Sequence, residues 1–146
     1  MLSSEPLMLD HVGYLVKQLQ HAMRSQMDRG LRTIDLSMAQ YALLTAIDET
    51  PGSSGAEIAR RCFITPQSVT GLIAGLEKAK LIKRKASATH GRIIEVELST
   101  AGRERLEKAR SIVVDVEAKM LQTLDEAQRK NLAELLRSCI AGIEQS

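Results

Sequence analysis

The chain has 146 residues, 44% hydrophobic and 26% charged, with a formal net charge of +2. That length supports one compact unit with its own core, needing neither disulfide nor metal staples. Tyr14, Tyr41 and Phe63 are the whole aromatic complement, so aliphatic side chains must fill the interior, which favours packed helices over a β-sandwich.

Cys62 and Cys139 lie far apart in predicted helices, unlike a secreted disulfide framework. The opening MLSSEPLMLDH lacks the basic-then-apolar layout of a signal peptide. No run approaches the ~18 apolar residues of a membrane span. The expectation is a cytoplasmic protein with no membrane partner. His11, His21 and His90 show no metal-ligand spacing, and no Cys-x-x-Cys, His-Glu-x-x-His or acidic cage occurs, so neither metal nor cofactor is expected. A Gly-rich phosphate loop, a nucleophile elbow and paired catalytic carboxylates are also missing, which argues against an enzyme.

Charge is distributed unevenly. Residues 56–92 carry eight Lys and Arg against two acids, and the rest carries twelve against sixteen. From Lys78 to Ile94 there are six cations and no acid. Such a segment is either a site for a polyanion or a solvated basic loop.

In chain order, residues 8–28 place Leu9, Val12, Val16, Leu19, Met23 and Met27 at alternating three- and four-residue spacing, the stripe of a helix. Gly30 is its expected C-cap. Ser37 and Gln40 have capping-box spacing and open a second helix with Ala39, Leu43, Ala46 and Ile47 facing inward. Pro51-Gly52 breaks it. A short helix over 56–62 turns Ile58 and Ala59 inward. Thr65 as N-cap and Pro66 at the first helical position start the next helix, to about Ala79, with Val69, Leu72, Ile73 and Leu76 as its apolar face. Residues 81–85 and 92–98 read as two strands of a hairpin, the second alternating Ile94, Val96 and Leu98 with Glu95 and Glu97. Ser99 or Thr100 caps a long helix to about residue 123. Asp125 caps the last, over 126–144, with Cys139 expected in the core.

The predicted fold is mainly α with a small β-hairpin: a winged helix-turn-helix over 35–99, with helical dimerisation regions over 1–34 and 100–146. In a helix-turn-helix the second helix enters the major groove N-terminus first. Here that end presents Gln67, suited to adenine, and Thr70, whose methyl suits thymine. Thr65, Ser68 and free N–H groups suit phosphate. Gly71 either lets the backbone approach DNA or eases packing. Lys83, Arg84, Lys85 and Arg92 flank the hairpin loop, where a basic ribbon can track the minor groove or simply be soluble. The terminal helices carry more apolar surface than one small core needs, which points to a two-fold dimer or, alternatively, to a monomer with a large helical-bundle core.

The sequence resembles the MarR (multiple-antibiotic-resistance regulator) family of bacterial transcription regulators. The matching series runs Leu36-Ser37-Met38-Ala39-Gln40-Tyr41-Ala42-Leu43-Leu44, Glu57-Ile58-Ala59, Thr65-Pro66-Gln67-Ser68-Val69-Thr70, Leu76-Glu77, Leu81-Ile82-Lys83-Arg84, His90-Gly91-Arg92 and Leu98-Ser99-Thr100-Ala101-Gly102. The resemblance implies a homodimeric repressor on a pseudo-palindromic double-stranded DNA operator. It puts the recognition role on Pro66, Gln67, Ser68 and Thr70 and the wing arginine at Arg92. The family often has Asp where this chain has His90, which makes the wing contacts pH-sensitive here. Release by a small aromatic or phenolic effector is implied too, with His11, Tyr14, His21, Met38 and Tyr41 as lining residues or, alternatively, as core and surface groups. Family members that sense peroxide use a cysteine in the first helix, which this chain lacks. Cys62 stands beside Arg60 and Arg61, which would lower its pKa; the other reading is a buried small hydrophobe. The competing function is a winged-helix module that binds protein or RNA as a scaffold.

Overall fold

A computed structural model describes residues 11–86 and 94–145. Six helices and a hairpin follow in the order α1 Val12–Arg32, α2 Met38–Glu49, α3 Gly55–Cys62, α4 Pro66–Lys78, β1 Ile82–Ala86, β2 Ile94–Leu98, α5 Thr100–Leu121 and α6 Glu126–Glu144. This is the expected helix, turn, helix, hairpin order between flanking helices.

The N-terminal caps follow the local sequence. The Ser37 and Asp125 side chains each accept from the backbone N–H three residues on, while Gln40 and Gln128 reach back to the cap's own N–H. Ser99 caps α5, accepting from Gly102 N–H at 3.0 Å and donating to the Lys80 carbonyl at 2.7 Å. Each arrangement satisfies donors that a helix start leaves open.

The C-termini depart from expectation. Gly30 does not end α1; it lies within the helix, and a Cβ there would stand 2.5 Å from Ile112 Cγ2. Its role is a close crossing with α5. The turns after α1, α3 and α4 instead use Asp35, Phe63 and Lys80, all at positive φ. In each, the next residue's N–H bonds back five residues: Leu36 to Leu31, Ile64 to Ala59, Leu81 to Leu76. The residues so joined are buried or partly buried apolar groups. The hydrogen bond and the apolar contact of this C-cap motif together offset the left-handed strain of a non-glycine residue.

The buried apolar residues of the described chain all fall between Leu31 and Ala109. They come from the end of α1, from α2, α3 and α4, from the hairpin, and from the first half of α5. Asp48 at the end of α2 accepts from Arg110 at 2.6 Å and Arg103 at 3.4 Å, and Arg105 donates to the Ile34 carbonyl at 2.7 Å. These bonds tie α5 to the α1–α2 turn and to α2.

Outside that span the helices keep their apolar faces open. Val12, Leu15, Val16 and Leu19 on α1, Val114 on α5, and Leu135, Leu136, Ile140 and Ile143 on α6 are large exposed hydrophobics. α6 buries no residue, and Cys139, expected in the core, is exposed.

Candidate nucleic-acid interface

α3 and α4 are joined by Phe63, Ile64 and Thr65. Ile58, Ala59, Val69 and Leu76 anchor the pair in the core. This leaves Gln67, Ser68, Thr70 and Gly71 exposed on one surface of α4. A Cβ built on Gly71 meets nothing within 4 Å, so no packing requirement among the described residues explains this glycine.

The start of α4 is tightly organised. Thr65 Oγ1 accepts from Ser68 N–H at 3.1 Å and donates to Ser68 Oγ at 2.9 Å. Val69 N–H bonds to the Thr65 carbonyl at 3.1 Å. Proline has no N–H, so Gln67 N–H is the first-turn donor left open among the described residues. Ser68 keeps its hydroxyl hydrogen. Thr65, expected to reach phosphate, is instead committed to the cap. Thr70 Oγ1 donates to the Pro66 carbonyl at 3.1 Å, which leaves its methyl as the group to present outward.

In the hairpin, Ile82 lies opposite Leu98, Lys83 opposite Glu97, Arg84 opposite Val96, and Lys85 opposite Glu95. β1 begins one residue later than expected because Leu81 closes the turn after α4. Lys83, Arg84 and Lys85 are exposed. Arg84 Nε is paired with Glu77 Oε2, near the end of α4. His90 and Arg92 lie outside the described residues.

Between α1, α2 and the α3–α4 turn runs a groove of about 610 Å³. Leu19, Met23, Met27, Met38, Cys62 and Phe63 line it, with Arg24 supplying charge at its wall. Of the five residues expected to line an effector site, Met38 is in this groove. Tyr41 lines an adjoining recess of about 200 Å³ with Thr45 and Arg61. Tyr14 is half-buried; His11 and His21 are exposed, and none of these three is part of the groove wall. Met23 and Met27 were visible in the sequence only as part of an apolar stripe. Phe63, in contrast, is 95% exposed at its left-handed position in the turn.

Cys62 does not behave as the nearby arginines suggested. Burial pushes its thiol up from the ordinary value and outweighs the lowering by Arg61; the thiol donates to the Ala42 carbonyl at 3.5 Å. The thiolate is the reactive form. Alkylation of Cys62 by iodoacetamide at neutral pH, followed by peptide mass spectrometry, should therefore be slower than that of free cysteine. Reaction at or above the free rate would show that Arg61 dominates.

An exposed polar helix start, presented by a three-residue turn and followed by a basic hairpin, defines a winged helix-turn-helix protein. A family model described as MarR family matches residues 34–93. The uncharacterized HTH-type transcriptional regulator YhbI of Bacillus subtilis is 30% identical over 108 residues, 74% of this chain and 70% of that protein. The HTH-type transcriptional repressor Rv2887 of Mycobacterium tuberculosis is 28% identical over 125 residues, covering 86% of this chain and 90% of the relative. Among solved structures, the S. aureus MepR–DNA complex matches with a TM-score of 0.80 at 25% identity, over 90% of this chain and 98% of that one. The complex of Rv2887 with salicylic acid matches with a TM-score of 0.73 at 27% identity, over 88% and 96%. The chain belongs to the MarR family of DNA-binding transcription regulators. No helix among the described residues is long and apolar enough to cross a membrane.

Proposed function

We propose that this chain is a homodimeric, sequence-specific repressor that binds a pseudo-palindromic operator and leaves it when a small aromatic or phenolic effector occupies the groove. The observation that carries the reading is the open face of α4, where Gln67, Ser68, Thr70 and Gly71 are all exposed beside the basic strand β1. In this reading residues 35–99 hold the DNA, and 1–34 with 100–146 hold the second copy. Gln67 reads a base edge, Thr70 offers its methyl, and Pro66 and Gly71 let the helix sit close. Ser68 and the Gln67 N–H take phosphate, with Thr65 holding their geometry. Lys83, Lys85 and Arg92 engage the flanking backbone and minor groove, next to His90. The exposed apolar faces of α1 and α6 support the two-fold dimer. The relatives solved with DNA and with salicylic acid support the operator and effector roles.

The test is fluorescence anisotropy across a salt series, using the tightest fragment from a genomic selection against random competitor DNA. Gln67→Ala is expected to weaken binding by about 30-fold or more and relax one position in each half-site. Lys83→Ala with Lys85→Ala should weaken all sequences alike and lower the log–log salt slope by about 3.6, because both protomers of the dimer lose both contacts. If no fragment is bound in preference to random DNA, the scaffold-module reading takes its place.

A further inference from the structure

We infer that Arg84, although it belongs to the basic strand, is a positioning residue: its pairing with Glu77 sets the wing against the recognition helix, and Lys83 and Lys85 are the strand's DNA-facing cations. The inference rests on the DNA-binding reading above. Successive side chains of a strand point to opposite faces. Arg84 therefore shares a face with Ile82, and its cross-strand neighbours on that face include Val96 and Leu98. Ile82, Val96 and Leu98 are buried, so this face is applied to the body of the domain. Lys83 and Lys85 project from the other face, opposite Glu97 and Glu95.

At the edge of the body Arg84 meets Glu77, in the last turn of α4. α4 ends at Lys78 and β1 starts at Ile82, so the pair bridges the joint between the recognition helix and the wing. The joint itself is a left-handed turn at Lys80. Ser99 pins the base of the ribbon through its bonds to the Lys80 and Leu81 carbonyls. Arg84 lies further out along β1, and its tie to α4 fixes the ribbon's angle beyond that base, so helix and wing reach their contacts together.

The full-length protein and four variants distinguish positioning from contact, by anisotropy on the selected DNA fragment over a salt series. Glu77→Gln and Arg84→Gln are each expected to weaken binding by a similar factor, about two- to fivefold, as suits a half-exposed pair. The double variant should be no worse than either single one. The salt slope should stay at the wild-type value, and the exchanged pair Glu77→Arg with Arg84→Glu should regain affinity. A direct phosphate contact behaves differently at every point. Glu77→Gln then leaves binding unchanged or tightens it, Arg84→Gln lowers the slope by about 1.8, one contact in each protomer of the dimer, and the exchange restores nothing. Any of these three results overturns the inference while leaving the DNA reading intact. A wild-type protein that prefers no fragment overturns both.

Discussion

Leu136→Glu combined with Ile140→Glu should leave each chain folded, separate the proposed dimer into monomers, and weaken operator binding by about a hundredfold or more. Both residues are exposed on α6, 40% and 55%, and α6 buries no residue in the chain. Within one copy they pack too little to hold the core, which lies between Leu31 and Ala109. Against a second copy they would be buried, and a carboxylate placed there loses hydration without gaining a partner. Each DNA-binding unit would then meet its half-site alone. Losing the effective concentration supplied by a linked second unit is what reduces affinity so far. Sedimentation equilibrium gives the mass, circular dichroism the fold, and anisotropy the affinity. A variant that stays dimeric would remove α6 from the interface. One that becomes monomeric yet binds as tightly would remove dimerisation from recognition.

The second large effect is on the fold. Gly102→Ala should destabilise the protein by about 3 kcal/mol, at the upper end for overpacking. A Cβ at Gly102 would lie 2.0 Å from the Leu81 carbonyl oxygen and 3.0 Å from its carbon. That oxygen is held in place by accepting from Ser99 N–H at 3.0 Å. Neither group can move without breaking the cap of α5 or the joint between α4 and β1. Gly30→Ala is the contrast. Its Cβ would meet Cγ2 of Ile112, a branched side chain with little rotational freedom inside α5, so relief comes from α1 moving away from α5 and no cap or joint is broken. Urea unfolding at one fixed protein concentration compares the two. A Gly102→Ala protein within about 1 kcal/mol of wild type would show that the approach of α5 to Leu81 relaxes freely.

The sequence alone was a good guide wherever the controlling interaction is local. Ser37 with Gln40, Thr65 with Pro66, and Asp125 mark helix starts because a cap reaches only three residues. The order of helices and hairpin was legible for the same reason, through period and punctuation. Helix ends were less so. Asp35, Phe63 and Lys80 occupy positions where glycine is the usual signal. Their trace in the sequence is the apolar pairing of Leu31 with Leu36, Ala59 with Ile64, and Leu76 with Leu81, five residues apart.

Other features depend on which surfaces meet, and tertiary structure alone decided them. Gly30 has a helix-ending residue type, but the approach of Ile112 makes it a crossing point within α1. Three consecutive cations of β1 look equivalent in a row; only the packing of one sheet face onto the body gives Arg84 to Glu77 and leaves Lys83 and Lys85 on the other face. Met23, Met27, Met38, Cys62 and Phe63 come from separate segments and become one groove only when α1 lies across α2 and the α3–α4 turn. Cys139 carried the periodicity of a core residue, and the fold of one chain leaves it exposed. Periodicity tells that a face must be covered, because apolar surface avoids water, but not whether the cover comes from the same chain.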